Sequence, residues 1–213
     1  MQLITTDGNG KSPVHFSTMT GKLDGFNAIN TNTATNKFCQ SMFESSHASV
    51  ICINCYSMNM LHGSRKNCQP AFQRNSDLLS ERILEPHEIP RTSQAWIRLH
   101  GHGELINKTH FENFIWIASH NPQTIFSLWT KRKDIVAHYA KRDAIPKNMI
   151  LIYSNPRTDR LIKQPPKHFH KVFNNVTTET KGENCTGQKC ITCLKCYQFE
   201  SESVIIEREK KRS

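Results

Sequence analysis

The sequence predicts an α/β protein whose parallel strand–helix–strand units form a partial or distorted barrel. Three short apolar segments in the middle of the chain carry this prediction, and a polar or glycine-rich turn follows each of them. These segments are "AWIRL" (95–99), "TIFSLW" (124–129) and "NMILIY" (148–153). Helical patterns lie between them, and this alternation of strand and helix is typical of a parallel sheet.

The helical patterns have recognisable ends. Thr109 and Glu112 have the spacing of a capping box, so we expect a helix to begin there. That helix should end near Pro122, because the residue before a proline avoids helical geometry. A second helix is predicted over 133–143. Weaker patterns add a partly helical stretch at 69–82, a strand at 171–176 and one strand within the polar residues 1–36.

A chain of 213 residues suits one domain with at most a small appendage. We therefore predict a single α/β domain over 1–213. Within it we distinguish an N-terminal cysteine segment at 37–70, a parallel α/β core at 95–176 and a C-terminal cysteine cluster segment at 183–199.

The charge is strongly basic, with 28 Lys and Arg against 18 Asp and Glu and a net charge of +10. Such a surface attracts nucleic acid or nucleotides, and a merely soluble basic protein is the plainer alternative. The dense run "EREKKRS" at the end of the chain is expected to be a solvated tail. No run approaches the roughly 20 apolar residues of a membrane-spanning helix, and no apolar signal region opens the chain. We expect a cytoplasmic protein with no membrane contact.

Eight cysteines fall into two groups, and in a reducing compartment clustered thiols indicate metal ligands rather than disulfides. The C-terminal group has the spacing Cys-x4-Cys-x2-Cys-x2-Cys. Successive Cys-x2-Cys steps are typical of iron–sulfur ligation, where each thiolate binds a different iron. A 4Fe–4S cluster is therefore favoured over zinc. The predicted ligands are Cys185, Cys190, Cys193 and Cys196.

The N-terminal group has three interpretations. Four ligands would make a second closed centre, of iron–sulfur or zinc type. Three ligands, Cys39, Cys52 and Cys55, would leave one iron of a cluster open to a small molecule. Alternatively, both groups would serve one cluster assembled from the two ends of the chain. Cys68 is the weakest candidate, because it stands alone and suits a buried thiol.

Polar residues follow the three predicted strands, and parallel strands bring such residues to one edge of a sheet. The first strand runs into "HGHGE", the second into "TKR" and the third into "SNPR". His100 and His102 suit metal ligation or structural hydrogen bonds equally. The residues that we expect to bind a cofactor at this edge are Gly103, Glu104, Lys131, Ser154 and Asn155.

A series of motifs resembles a family of small proteins from bacteriophages and mobile elements called "gene product eighty-eight". The motifs are "FCQSM", "ICINCYS", "RLHGHGEL", "FSLWTKR", "MILIYSNP", "KVFNNV" and "NCTGQKCITCLKCY". The resemblance covers residues 15–207, and the paired segments "CINCY" and "CLKCY" are its most specific part. It implies a phage-type origin, hence a host cytoplasm, and no particular activity.

A more distant resemblance links the chain to radical S-adenosylmethionine enzymes, which combine a three-cysteine cluster with a partial parallel barrel. By this resemblance, Cys39, Cys52 and Cys55 would hold the cluster, Gly103 and Glu104 would bind the amino group of the cofactor, and the C-terminal cysteines would hold an auxiliary cluster. Twelve residues separate the first two cysteines here, whereas the enzymes have three, and the chain is short for such an enzyme.

Two functions from different classes follow. One is a phage-type iron–sulfur protein with radical-enzyme character that acts on nucleic acid, a nucleotide or a peptide, with one or two 4Fe–4S clusters and S-adenosylmethionine. The other is a non-enzymatic protein, stabilised by iron–sulfur or zinc, that binds host nucleic acid or a host protein. Tyr56 and Tyr197, each following a Cys-x2-Cys pair, are expected to pack against a cluster and shield it from water.

Overall fold

The computed structural model describes residues 12–140 and 145–209, and a seven-stranded sheet lies at its centre. The strands are β1 (Phe16–Thr18), β2 (Asn27–Ile29), β3 (Trp96–Leu99), β4 (Ile125–Thr130), β5 (Met149–Ser154), β6 (Lys171–Val176) and β7 (Val204–Arg208). They neighbour one another in chain order. β1 is antiparallel to β2, and each later strand is parallel to its predecessor. The sheet is open, with β1 and β7 as its edges.

Six α-helices occur in the described residues, and three of them precede β3. They are α1 (Lys37–Phe43), α2 (Tyr56–His62), α3 (Gln69–Glu81), α4 (Lys108–Ser119), α5 (Lys133–Ala140) and α6 (Cys190–Cys193). Short 3-10 turns cover Gly21–Leu23, Ile51–Asn54, Lys66–Cys68, Pro86–Glu88 and Lys195–Tyr197. None of the helices in 12–140 and 145–209 has the length and apolar character needed to cross a membrane.

One face of the sheet packs against α3, α4 and α5. Side chains alternate between the two faces of a strand, so Phe126 and Leu128 of β4 point to this side together. There they join fully buried residues such as Phe111 and Phe114 of α4 in the larger hydrophobic core. This layer of helices and sheet gives the fold its rigidity and leaves the other face of the sheet available for a different covering.

The C-terminal cysteine segment covers the opposite face of the sheet. Trp129, Ile150 and Ile152 lie on this face and pack with Phe26 and Tyr197 in a second, smaller core. The hydroxyl of Ser127 also donates a hydrogen bond of 2.8 Å to the backbone carbonyl of Cys196. The segment is therefore fixed to the sheet by apolar contact and by a buried hydrogen bond.

The α/β class, the parallel core and its strands agree with the prediction, including the strand at 171–176. The partly helical stretch at 69–82 is the helix α3. The helix predicted over 133–143 is present as Lys133–Ala140, and residues 141–143 lie outside the described residues.

Three predictions of detail were wrong, and two helices were missed. Asn107, not Thr109, caps α4, because its side-chain oxygen accepts the backbone N–H of His110 at 2.9 Å. The N-terminal region holds two strands rather than one. Helices α1 and α2 had no predicted counterpart. Part of the expected solvated tail forms β7, since Glu207 and Arg208 pair with β6; residues 210–213 of that tail lie outside the described residues.

Candidate functional site

A cavity of about 1160 Å³ opens at the carboxyl ends of the parallel strands. Residues that follow β3, β4 and β6 line it, as does the last residue of β5. The cavity also receives side chains from the loops that carry both cysteine groups. The lining residues at the strand ends are His100, Gly101, His102, Gly103, Glu104, Lys131, Ser154 and Thr177.

Three cysteines of the N-terminal group line this cavity. Cys39 lies in the first turn of α1, which Asn36 caps by accepting the backbone N–H groups of Phe38 at 3.0 Å and of Cys39 at 3.4 Å. Cys52 and Cys55 lie on one tight turn, closed by a 3.1 Å hydrogen bond from the N–H of Cys55 to the carbonyl of Cys52. The chain thus brings three thiols to one wall.

Cys68 is separate from the other three. It ends the 3-10 turn Lys66–Cys68 immediately before α3 and does not line the cavity. Cys39, Cys52 and Cys55 thus line the cavity and Cys68 does not, while the role of all four as ligands stays a prediction.

The C-terminal group surrounds a second, small cavity of about 20 Å³ that all four of its cysteines line. Cys190 and Cys193 lie on α6, which ends at Leu194 in a left-handed conformation with φ 52°. Cys196 follows in the next turn. Cys185 comes from the neighbouring chain segment and forms a bridge alongside β7 at Glu207. Three of the four, Cys185, Cys190 and Cys196, also line the large cavity.

Basic side chains lie beside the C-terminal thiols. The ammonium of Lys22 is 3.4 Å from Sγ of Cys185 and forms an ion pair with Glu207. Burial raises the pKa of the Cys196 thiol to about 12, although the charge of Arg98 opposes this rise. The Cys196 thiol is therefore protonated at neutral pH unless a bound cation favours its charged form.

The N-terminal thiols have a similar electrostatic environment. Burial raises the pKa values of Cys39 and Cys52, and in both cases the ammonium of Lys131 opposes the rise. Burial also lowers the pKa of Lys131, but nearby Cys52 and Glu104 outweigh this effect and raise it overall. Lys131 is thus a cation at neutral pH, placed beside the three thiols.

The loop "HGHGE" requires its glycine at position 103. Gly103 has a φ of +101°, which side chains rarely allow, and a Cβ there would lie 2.0 Å from Oγ1 of Thr31. The loop is tied to the end of β2 by hydrogen bonds, including 2.8 Å from the N–H of His102 to the side-chain oxygen of Asn30. Gly103 therefore lets the strand exits approach each other closely.

The two histidines of this loop have different environments. Nδ1 of His102 lies 2.8 Å from the hydroxyl of Ser57, so this ring has a structural hydrogen bond. His100 is buried, with φ 67°, and neither of its ring nitrogens has a hydrogen bond of normal geometry. Burial lowers the pKa of His100 to about 3 and that of His102 to about 4. Both rings are neutral at physiological pH.

Glu104 joins two strand exits. Its carboxylate accepts the backbone N–H groups of Leu105 and Lys131, both at 2.8 Å, and the hydroxyl of Thr130. Burial raises its pKa, while Lys131 and these donors oppose that rise. The carboxylate lines the cavity and is held rigidly by the protein around it.

Ser154 and Asn155 differ in position. The hydroxyl of Ser154 accepts a 3.1 Å hydrogen bond from the ammonium of Lys131 at the cavity wall. The amide of Asn155 is directed into its own loop, where it donates to the carbonyl of Arg160 and to Asn174 at 2.9 Å. Asn155 is not among the cavity-lining residues, so its part in cofactor binding stays a prediction that the geometry does not favour.

Arg98 and Trp129 lie on the face of the sheet that the C-terminal cysteine segment covers, and neither was predicted as a site residue. The guanidinium of Arg98 stacks on the ring of Trp129 at 3.8 Å and donates to the carbonyl of His100 at 3.2 Å. A charged residue inside the apolar strand "AWIRL" was the signal that would have identified Arg98. Its charge acts on both Cys190 and Cys196.

The donor atoms are not arranged for a single ion. In the described parts of the chain, no group of three or more His, Cys, Asp or Glu side chains has the geometry to hold one metal ion. Thiolates of a multi-iron cluster bind different irons and so stand further apart than the ligands of one ion. Whether these thiols hold a cluster or an ion therefore stays a prediction.

Fold and site together define an α/β protein with two cysteine groups that meet at the carboxyl edge of an open parallel sheet. Within that class, the chain belongs to the family described as Gene product 88, whose model matches residues 4–212. This agrees with the phage-type resemblance of its motifs. No curated protein and no solved structure matches the chain.

Proposed function

We propose that the chain is an iron–sulfur enzyme with two 4Fe–4S clusters. Cys39, Cys52 and Cys55 would hold a cluster with one open iron at the large cavity. The four C-terminal cysteines would hold a closed auxiliary cluster. The observation that supports this proposal most is that thiols of both groups line one cavity together with polar residues of the strand ends.

The electrostatics of the site support the binding of a positively charged metal centre. Thiols bind metal as thiolates, and burial disfavours thiolates in both groups. A cluster would supply positive charge to the buried thiolates, and the fixed cations Lys131 and Arg98 would add to it. Zinc remains the alternative for the C-terminal group.

The order of parts also supports radical-enzyme character. The sheet is open, and its parallel strands β2 to β7 neighbour one another in chain order, as the strands of a partial barrel do. The three cysteines follow its first parallel strand, β2, and Gly103 and Glu104 follow the second, β3. We propose the radical-enzyme character on this order, because radical S-adenosylmethionine enzymes have a cysteine cluster and a glycine–glutamate motif in the same sequence along the chain.

When bound, such a cluster supplies single-electron chemistry to S-adenosylmethionine. The protein's own groups have defined tasks around it. Glu104, held by three donors, offers its remaining lone pairs to a bound amine. Lys131 places a positive charge at the cavity wall beside Ser154. Tyr197 and Trp129 belong to the hydrophobic cluster against which Cys190 and Cys196 pack.

Metal analysis of anaerobically purified protein tests the proposal. We expect about eight irons and eight sulfides per chain, since each cubane holds four of each. Cys55→Ala should retain about four irons, and the matched variant Cys68→Ala should retain all of them. Adding S-adenosylmethionine should change the electron paramagnetic resonance spectrum of the reduced protein, and Cys55→Ala should abolish that change. Zinc alone, or an unchanged spectrum, would contradict the proposal.

One observation favours the non-enzymatic alternative. The C-terminal thiols enclose a cavity of only about 20 Å³ that packs against the sheet, as expected of a structural centre. In that case the metal supplies folding energy. Removing it with a chelator should then unfold the protein, and S-adenosylmethionine should have no effect on any cluster signal.

A further inference from the structure

The loop between β5 and β6 differs from the other connections between neighbouring parallel strands. Residues 155–170 contain no helix, although helices lie in the connections β3–β4 and β4–β5. Instead the loop carries four cationic side chains and a single carboxylate. The cations are Arg157, Arg160, Lys163 and Lys167.

The charges of this loop are not neutralised by carboxylates. Among the ion pairs of the described residues, none involves any of the four cations. The carboxylate of Asp159 accepts hydrogen bonds from the N–H and the hydroxyl of Thr177, at 2.8 and 2.7 Å. Arg160, Lys163 and Lys167 are exposed. The loop is therefore a local concentration of positive charge open to solvent.

This basic loop is attached to the segment that carries the N-terminal cysteines. The N–H of Ile51 donates to the carbonyl of Pro156 at 3.0 Å, and that of Thr158 donates to the carbonyl of Ser49 at 2.8 Å. Arg157 also donates to the hydroxyl of Ser49 at 2.9 Å. The first residues of the loop, 156–158, therefore lie beside the segment that forms part of the cavity wall.

A fixed aromatic ring lies in the same segment. Tyr56 lines the cavity and is 41% exposed. Its hydroxyl donates to the carbonyl of Gly101, and its ring meets that of His102 with centroids 5.7 Å apart. The ring is thus held in place with part of its surface open.

We infer that single-stranded nucleic acid docks on the basic loop 155–170 and places one base against Tyr56 at the cavity. Cations that follow a backbone, next to an aromatic platform, are the two parts of single-strand recognition. An enzyme that acts on a base must also take that base out of the stack. The inference names the substrate class of the proposed enzyme and rests on that proposal for the role of the cavity.

Fluorescence anisotropy with labelled oligonucleotides tests the inference on the anaerobically purified full chain. The probes are single-stranded DNA, single-stranded RNA and a duplex, each measured at several salt concentrations. We expect at least tenfold tighter binding of one single strand than of the duplex. The two single-stranded probes decide between DNA and RNA.

Two triple variants that each remove three positive charges distinguish the contribution of the loop to binding from that of the protein's net charge. Arg160→Gln/Lys163→Gln/Lys167→Gln should weaken binding about tenfold or more. It should also lower the salt slope by about 2, because each phosphate contact on a single strand contributes about 0.7. The control changes three exposed cations outside the loop, as Arg74→Gln/Lys108→Gln/Lys147→Gln, and should alter binding by less than about twofold.

Tyr56 gives a second matched pair. Tyr56→Leu should weaken single-strand binding by about tenfold, within the range of one lost base stack, whereas Tyr56→Phe should retain it. Equal binding of duplex and single strand, or equal losses in both triple variants, would overturn the inference. Loss of clusters with intact docking would instead contradict only the proposed enzyme, so the two failures are distinguishable.

Discussion

The two Cys-x2-Cys-Tyr segments, "CINCY" and "CLKCY", are alike in sequence and opposite in environment. Tyr56 of the first segment is 41% exposed in the wall of the large cavity. Tyr197 of the second is 2% exposed and lies between Phe26 and Trp129, with ring centroids 4.3 and 5.7 Å away. The tyrosine of the same short motif therefore lies in an open cavity wall in the first segment and in a hydrophobic core in the second.

The backbone that follows each pair of cysteines explains this difference. Tyr56 is the first residue of α2, and its hydroxyl is fixed by the loop "HGHGE". Tyr197 ends a 3-10 turn that begins at the left-handed residue Leu194, and this turn lies directly on the sheet. We expected both rings to shield a cluster from water; only Tyr197 has the burial that this task requires.

The largest effect that follows from this contrast is on stability. Tyr197→Ala removes a fully packed aromatic ring and should lower the free energy of unfolding by about 3–5 kcal/mol. Tyr56→Ala removes a partly exposed ring and one hydrogen bond, so the loss should be about 1 kcal/mol. Urea unfolding of both variants at equal iron content measures the difference. Similar losses would mean that the two segments are packed alike.

Much of the fold could be predicted because its signals are local. Apolar strands such as 148–153 alternate with helical patterns, and a parallel sheet follows from that alternation. The positions of the predicted strand ends placed Gly103, Glu104, Lys131 and Ser154 at one edge of the sheet. All four line the large cavity.

The rest could not be predicted because it depends on contacts distant in sequence. Nothing in "CLKCY" indicates that it packs against β4 through Ser127, nearly 70 residues away. Likewise, β7 is recognisable as a strand only through its pairing with β6. Asn155 follows its strand just as Ser154 does, but its amide satisfies the turn of its own loop. Sequence alone does not distinguish a loop-stabilising amide from a ligand-binding one.

A smaller expected effect is that the stability of the N-terminal cysteine segment depends on pH more strongly than that of the C-terminal segment. The N-terminal segment is held through Ser57 to the buried, neutral ring of His102, whose pKa burial lowers to about 4. Since the unfolded chain binds a proton near pH 6.5, this stability is complete above pH 6.5 and is lost as the pH falls towards 4. The loss should reach about 2–3 kcal/mol. Hydrogen exchange should then increase in α2 before it increases in α6.

His102→Gln tests this origin, because glutamine keeps a polar side chain and does not titrate in this range. Its exchange in α2 should vary less with pH than that of the unsubstituted protein. His62→Gln, at an exposed position of the same helix, is the control and should behave as the unsubstituted protein does. If α2 and α6 open together in every variant, His102 does not control the N-terminal segment.

The smallest effect concerns the hydrogen bond from the side chain of Ser127 in β4 to the C-terminal cysteine segment. Ser127→Ala deletes the donor to the carbonyl of Cys196 and should lower the free energy of unfolding by about 1 kcal/mol, or up to about 3 if that carbonyl is left without a partner. Its counterpart, Ser57→Ala, removes the bond to His102 on the N-terminal side. We expect Ser127→Ala to increase exchange in α6 and Ser57→Ala to increase it in α2. Exchange that spreads equally to both segments would show that the two cysteine groups form one cooperative unit, in which the contrast between Tyr56 and Tyr197 is only one of surface exposure.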